Sequence, residues 1–298
     1  MKQHTLNKEY TFLGKGLHTG GAVGMTILPA PIDHGIVFER TDMQKARVTA
    51  DISNLTTTDR STCIRSGEAD VITTEHLLSA LTGLGVDNAL IRLTNKEVPI
   101  LDGSSLAYVN AIKADGLRSQ SADREYYVVE EPFEFKSGDS MIRVEPCNHF
   151  EADVEIAYPS KVLSHQTAHF DDSMDYSTEI ASCRTFCFFH EIEFLLAHNL
   201  IKGGDMSNAI VIVENEVSQE TLERMKSIFN VTSLKRIPSG YLNNLRLRFD
   251  NECARHKLLD LIGDFALVGK PMKAKITAYK PGHAVNTAAV KALVSRNQ

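Results

Sequence analysis

Two stretches far apart in the chain repeat one succession of signals, and that echo restricts the fold more than any other feature. From Tyr10 to Pro29, Tyr-Thr-Phe, a glycine-rich turn and Val23-Gly-Met25-Thr-Ile27 alternate at period two, which reads as a hairpin. Phe133-Glu-Phe135, a Lys-Ser-Gly turn and Met141-Ile-Arg-Val144-Glu-Pro146 repeat it, down to the closing proline. Each half also carries a helix that ends near a glycine and runs into a strand. Thr74 to Gly85 precedes Ala89-Leu-Ile-Arg-Leu, and Cys253 to Gly269 precedes Lys273-Ala-Lys-Ile-Thr-Ala-Tyr. Both helices start beside a histidine. The chain therefore reads as α+β in two similar halves. The polar run Ser119-Gln-Ser-Ala-Asp-Arg124 is the natural boundary. It gives a first domain at residues 1–122 and a second at 123–298, each long enough to bury its own core.

The second half is longer because of an insert at about residues 185–213. Phe186-Cys-Phe-Phe reads as a strand, Glu191 to Asn199 is amphipathic, Gly203-Gly204 breaks the chain, and Ala209-Ile-Val-Ile-Val is a second strand. That order is βαβ, whose crossover is right-handed and whose strands are parallel.

With 43% hydrophobic and 23% charged residues, nothing signals disorder, collagen or a coiled coil. A net charge of -6 argues against a nucleic-acid partner, whose binding would rest on phosphate neutralisation. The N-terminus lacks the apolar run of a signal peptide, and the chain has no stretch of 18 apolar residues, so the expectation is a cytoplasmic protein without stable membrane insertion. Cys63, Cys147, Cys183, Cys187 and Cys253 form an odd, dispersed set, which fits reduced thiols.

The chemistry concentrates on Glu252-Cys-Ala-Arg-His-Lys-Leu-Leu-Asp-Leu-Ile-Gly-Asp-Phe. With His256 at the origin of a helical wheel, Asp260 falls near about 40°, Asp264 near about 80° and Lys257 near about 100°. Leu258, Leu261, Ile262 and Phe265 take the opposite side, the face that packs on a sheet. His256 and Asp260, at i and i+4, can reach one ion, and N/O ligation suits zinc. An isolated H-x-x-x-D is more often a solvated helix face, so the pair needs a third ligand. Glu75-His76 is the candidate, because a catalytic zinc commonly takes three protein ligands with a carboxylate nearby. Alone, Glu75 after Thr73-Thr74 reads equally as an acidic residue at a helix start. His283, on the Gly-Pro turn of Tyr279-Lys-Pro-Gly-His283, follows a strand, where irregular backbone often carries function.

Taken jointly, Thr-x-Glu-His, His-Lys-x-x-Asp-x-x-x-Asp and Lys-x-Gly-His closely resemble the motifs of the zinc-dependent UDP-3-O-acyl-N-acetylglucosamine deacetylases of lipid A biosynthesis. The resemblance runs the length of the chain. It includes Gly14-Lys-Gly-Leu-His-Thr-Gly20, Pro99-Ile-Leu-Asp-Gly-Ser104, Arg184-Thr-Phe186 and Lys202-Gly-Gly204. The first of these is no dinucleotide loop, since its glycine spacing is wrong and no helix follows.

The resemblance implies Zn2+ held by His76, His256 and Asp260, with Glu75 as general base for the attacking water and His283 as second acid/base. It implies that Asp264 orients and charges His283, and that Thr185 contacts the oxyanion. Phe186, Lys257 and His18 match residues near the sugar, phosphate or acyl linkage. The implied fold is two β-α-α-β sandwich domains with the zinc at their interface. The βαβ insert resembles the family's hydrophobic passage for the acyl chain, lined by Phe188, Ile192, Ile201, Ala209 and Val211, although an ordinary crossover would also pack a small core of its own.

Arg60 to Ser66 departs from family versions with a histidine near there, and the spacer from Asn215 to Leu245 is longer than in compact members. The second half resembles forms fused to a 3-hydroxyacyl-acyl-carrier-protein dehydratase. No dehydratase follows Gln298, so the expectation is a stand-alone enzyme or a trimmed form, with the dehydratase fused or separate. Two rivals stay open beside the deacetylase: a zinc amidohydrolase acting on another N-acetylated small molecule, and a metal-dependent binding protein that has lost catalysis. Binding alone needs neither Glu75 nor His283. Cys183-x-x-x-Cys187-x-x-His190 matches no standard zinc module.

Overall fold

The computed structural model describes residues 1–197 and 202–296. The first half runs β1 (Lys2–Leu6), β2 (Tyr10–Lys15), β3 (Ala22–Pro29), β4 (Ile36–Arg40), β5 (Ala46–Thr49), β6 (Ile64–Ser66), β7 (Ala69–Val71), α1 (Glu75–Leu84), β8 (Ala89–Leu93), α2 (Leu106–Lys113) and β9 (Leu117–Asp123). The second runs β10 (Tyr127–Val128), β11 (Phe133–Ser137), β12 (Ser140–Pro146), β13 (Phe150–Ala157), β14 (His165–Asp171), α3 (Tyr176–Glu179), β15 (Phe186–Phe188), α4 (Phe189–Ala197), β16 (Ile210–Val213), α5 (Gln219–Phe229), β17 (Gly240–Tyr241), α6 (Glu252–Phe265), β18 (Met272–Tyr279) and α7 (His283–Arg296).

This is a mixed α/β chain, and its two large sheets share one strand plan. The first has the order β2-β3-β8-β4-β5 and the second β11-β12-β18-β13-β14, with β10 beside β18. In each, the hairpin strand next to the centre runs antiparallel to the central strand and the other neighbour runs parallel to it. The echo in the sequence is thus an echo in topology. β8 and β18 alternate buried and half-exposed residues, so each sheet offers one apolar face. One continuous cluster joins Ile27 and Ile91 of the first sheet to Leu77 and Leu81 of α1, Leu258 and Leu261 of α6, and Val144 and Ile276 of the second sheet. Each such side chain withdrawn from water contributes about 1.5–3 kcal/mol.

Helices α1 and α6 cross at backbone contact. A Cβ added at Gly263 would stand 2.0 Å from the carbonyl oxygen of Glu75, so only glycine allows the crossing. Glycine inside a helix costs about 1 kcal/mol relative to alanine. What it gains here is the placement of Glu75 directly against α6.

The structure departs from the sequence reading in three places. The polar run Ser119–Arg124 is mostly strand β9, paired antiparallel with β1, rather than a loop. Most of its residues are half-exposed or exposed, so it carries no apolar period. Arg124, just beyond, donates to the Gly85 carbonyl at 2.5 Å and to Asp87 at 2.8 Å, tying down the C-terminus of α1. The helix read as Cys253 to Gly269 ends at Phe265, after which Ala266–Val268 tighten to a 3-10 turn before a left-handed Gly269.

The third departure lies in the spacer Asn215–Leu245. β15 and β16 pair in parallel, as a βαβ order requires. The spacer then adds α5, capped by the Ser218 hydroxyl accepting the Thr221 N–H at 3.1 Å, and β17, antiparallel to β16. β16 divides its side chains between two cores. Ile210 and Ile212 join the main cluster, while Val211 and Val213 join a second one with Phe189 and Ile192 of α4 and Leu222 and Met225 of α5. Both helices therefore cover one face of the small sheet. All five cysteines are free. Among the described residues no helix is long and apolar enough to cross a membrane.

Candidate metal centre

His76 stands in the first turn of α1, and His256 and Asp260 on successive turns of α6. The α1–α6 crossing brings them together. All three are buried, and their ligand atoms lie within 4.8 Å of one another. Nε2 of His76 is 3.6 Å from Asp260 Oδ1, and Nε2 of His256 is 3.4 Å from the same oxygen. That oxygen is buried and, among the described residues, accepts no hydrogen bond. An unmatched buried acceptor costs about 1–3 kcal/mol, more when charged, so the position calls for a cation.

The donors are prepared for one. His256 Nδ1 donates to the Cys183 carbonyl at 3.1 Å, which fixes the tautomer and leaves Nε2 free to ligate. Burial drives the His256 pKa down to about 3, so the ring is neutral, as a ligand must be. Burial alone would raise the Asp260 pKa, but His256 and Lys257 hold it well below the usual carboxylate range. Lys257 Nζ donates to Oδ2 at 2.7 Å, leaving Oδ1 to the ion. A tetrahedral zinc bound at about 2.1 Å has ligand atoms about 3.4 Å apart, which is the spacing found. Two imidazoles and a carboxylate on this geometry fit zinc. The polar stripe of α6 is accordingly buried rather than solvated.

Glu75 lies beside this set. Its Oε2 accepts the backbone N–H of Thr62 at 3.0 Å, and burial raises its pKa. It caps nothing. Thr74 makes no side-chain cap either, since its hydroxyl donates instead to the Thr62 carbonyl at 3.1 Å. Across from Glu75, His283 opens α7 after Lys280, whose φ of 49° is left-handed. Its Nε2 is 3.6 Å from Glu75 Oε1, and its Nδ1 meets Asp264 Oδ2 at 3.0 Å. Asp264 is fixed in turn by Asn286 Nδ2 at 2.8 Å and by the hydroxyl of Thr62. Burial works against a charge on His283, but Asp264, Glu75 and Asp260 outweigh it and push the pKa up to about 10. A protonated imidazole thus faces a buried carboxylate.

The remaining sequence candidates line one cavity of about 480 Å³, with Phe188 and Ile201 as exceptions. His18, Thr185, Phe186, Lys257, Ile192, Ala209 and Val211 all reach it, together with Glu75, His76, His256, Asp260 and His283. The Phe186 ring stands edge-on to His256 at 6.4 Å, with the Lys257 ammonium 5.4 Å from its centroid. Phe188 does not line the cavity. It lies on the face of β15 that it shares with Phe186, where it meets Tyr158 at 5.5 Å and stacks on His190. Cys187, on the opposite face of β15, lines the cavity beside Phe186. Ile201 lies outside the described residues. Cys183, Cys187 and His190 form no ligand group among the described residues, and burial pushes both thiols up to about 12.

The sequence reading missed Glu97. Buried, it accepts the backbone N–H groups of His18 and Thr19 at 2.8 Å each and the hydroxyls of Thr19 and Thr73 at 2.7 and 2.9 Å. It anchors the Gly14–Gly20 loop and so sets His18 at the cavity. A single glutamate in Asn-Lys-Glu-Val has no pattern to betray it. The glycines of that loop have a steric reason: a Cβ at Gly16 would stand 2.1 Å from Glu97, and one at Gly203 would stand 1.8 Å from the Gly16 carbonyl. Gly203 N–H also donates to the Leu17 carbonyl at 3.1 Å. The loop of the first half is therefore docked on the insert of the second.

The sequence profile of the family described as "LpxC: UDP-3-O-acyl N-acetylglycosamine deacetylase" matches residues 3–230 and 219–295. A protein of Porphyromonas gingivalis named "Bifunctional enzyme LpxC/FabZ" is 43% identical over 96% of this chain and 62% of its own length. Its namesake from Bacteroides thetaiotaomicron is 42% identical over 96% of this chain and 63% of its own. The chain spans less than two thirds of these bifunctional relatives. The "UDP-3-O-acyl-N-acetylglucosamine deacetylase" of Syntrophus aciditrophicus is 37% identical over 99% of this chain and 87% of its own.

Proposed function

This chain belongs to the LpxC family of UDP-3-O-acyl N-acetylglycosamine deacetylases, and from that premise we propose that it hydrolyses the N-acetyl group of UDP-3-O-acyl-N-acetylglucosamine, releasing acetate in lipid A biosynthesis. The observation that carries the reading is the Glu75–His283 pair, 3.6 Å apart, set against the buried His76, His256 and Asp260 in a cavity that Leu17, Ile192, Met206, Ala209 and Val211 also line. A metal-binding protein needs three ligands. It does not need an ionised carboxylate and a charged imidazole facing each other beside them.

His76, His256 and Asp260 would hold the zinc. When bound, it supplies Lewis acidity, acidifying water and polarising the acetamide carbonyl. Glu75 takes the proton of the attacking water, for which the Thr62 N–H holds its other oxygen in place. Cationic His283, kept charged and aimed by Asp264, donates a proton to the departing amine. Thr185 and Lys257 border the reacting carbonyl and the polar part of the substrate, while Phe186 and His18 hold the sugar end. Ile192, Ala209 and Val211, with Cys187 in place of Phe188, line the acyl passage. In this reading residues 1–122 and 123–298 are the two β-α-α-β sandwich domains with the metal between them, working in the cytoplasm.

The direct test incubates the zinc-loaded protein with UDP-3-O-acyl-N-acetylglucosamine and measures acetate and free amine. Both are expected in equal amounts. Release from a simple N-acetylated amine at the same kcat/KM, with none from the UDP sugar, would select the general amidohydrolase.

A pH dependence follows. Glu75 must be ionised, and burial raises its pKa, so the acidic limb of kcat/KM is expected above the ordinary carboxylate range. His283 must be protonated, so activity falls as pH rises through its elevated pKa. In Asp264→Asn the largest of the charges opposing burial is gone, and the basic limb is expected at lower pH than in wild type. A limb that stays in place would remove Asp264 from the role of charging His283.

A further inference from the structure

We infer that Cys147, His149 and Glu151 form a second, exchangeable zinc site, outside the catalytic cavity and independent of the deacetylase reading. The three residues lie at i, i+2 and i+4 where β12 gives way to β13, and their ligand atoms stand within 4.8 Å of one another. Ala152, Val154 and Ile156 of β13 face the core, so Glu151 faces away from it. β13 runs parallel to β18 with Glu151 opposite Lys275, while His283 follows the other end of β18, beyond Tyr279. The site therefore sits on the outer face of the second sheet, at the strand end away from His283.

His149 Nδ1 meets Asn148 Oδ1 at 2.7 Å and Cys147 Sγ at 3.3 Å. An amide oxygen can only accept, so the ring proton is on Nδ1 and the lone pair of Nε2 is free. Nε2 stands 3.9 Å from Cys147 Sγ and 3.9 Å from Glu151 Oε2. A thiolate and an imidazole on one tetrahedral zinc are about 3.6 Å apart, so rotation of these half-exposed side chains closes the group on one ion. Lys275 Nζ donates to the other oxygen of Glu151, Oε1, at 2.6 Å and leaves Oε2 to the ion. Lys257 does the same for Asp260 at the buried centre. The neighbouring group of Glu151, Asp153 and His169 has no such opening, because both His169 nitrogens already meet carboxylates, Asp153 at 2.8 Å and Asp171 at 3.2 Å. Sulfur and imidazole ligands select zinc over magnesium or calcium, and the thiol proton passes to solvent as the metal–sulfur bond forms. His149 is 44% exposed, so water reaches the ion and lets it exchange. All three ligands fall within residues 147–151, so the unfolded chain offers them as well and this ion adds little to stability.

Cobalt(II) separates the two sites, because only a sulfur ligand gives thiolate-to-cobalt charge transfer in the near ultraviolet, and His76, His256 and Asp260 include none. Added to the full chain already holding one equivalent of zinc, cobalt is expected to give that band in wild type and to lose it in Cys147→Ala. Equilibrium dialysis against zinc is expected to load about two ions per wild-type chain and about one in Cys147→Ala, and in His149→Ala to weaken the second by about tenfold or more. The zinc that Cys147→Ala retains reports that this variant is folded. A wild type without the band, a band that survives Cys147→Ala, or a second zinc held equally well by His149→Ala would each overturn the site. Failure of the buried centre would remove the first ion and leave the band in place.

Discussion

Glu75→Gln is expected to lower kcat about 10²- to 10⁴-fold while the metal content stays at that of the wild type. Glutamine has nearly the same shape, and one of its atoms can still accept the Thr62 N–H that now binds Glu75 Oε2 at 3.0 Å. The three ligands on α1 and α6 are untouched. What disappears is the capacity to take a proton, together with one of the charges that keep His283 protonated. The loss should therefore fall on kcat more than on KM, since the interaction is needed in the transition state. Turnover and metal per chain are measured on the same preparation. Near wild-type turnover would remove Glu75 as base, and simultaneous loss of metal would make its role structural.

Asp260→Ala is expected to remove the metal and with it essentially all activity. The substitution deletes the only oxygen in the ligand group, the one that stands 3.4 and 3.6 Å from the two imidazoles. It also strips Lys257 of the carboxylate at 2.7 Å, and breaking one side of a buried pair costs about 3–5 kcal/mol. Lys257 is itself 18% exposed, so its relaxation towards water trims that figure. Denaturant unfolding with and without added zinc separates the two effects. The wild-type midpoint should rise with zinc, because a ligand that binds only the folded state stabilises it. The midpoint of the variant should lie lower and ignore zinc. A variant that keeps one zinc at wild-type affinity would exclude Asp260 as a ligand.

The grouping of His76, His256 and Asp260 was legible in the sequence because these residues sit in regular elements. A helix fixes the angle between His256 and Asp260, and both hairpins announce themselves by alternation. The β15–β16 pair was equally readable. Legibility failed where tertiary contact alone assigns the role. Glu97 takes its position from four donors on two distant segments, His18–Thr19 and Thr73, and Gly263 from a backbone 188 residues earlier, as the numbering of Glu75 shows. Phe188 shares a face of β15 with Phe186 yet does not line the cavity, and no period in Phe-Cys-Phe-Phe tells the two apart. α5 had its signals, Ser218 as cap and apolar residues at 222, 225 and 229. They were set in so polar a context that composition read as a spacer.

The contact between Gly263 and Glu75 has a thermodynamic corollary. His76 rides on a helix of the first half, and His256 and Asp260 ride on a helix of the second, so a cation held by all three is a tie between the halves. Reciprocity then applies: whatever free energy the cation adds to the docking of the halves, their docking adds to the affinity for the cation. The crossing distance becomes a control on metal retention without being a ligand. A single methyl group at Gly263, lodged 2.0 Å from a carbonyl, would push the helices apart and turn a three-point grip into a two-point one. Loss of metal and loosening of the fold are, in this molecule, the same equilibrium viewed from two sides.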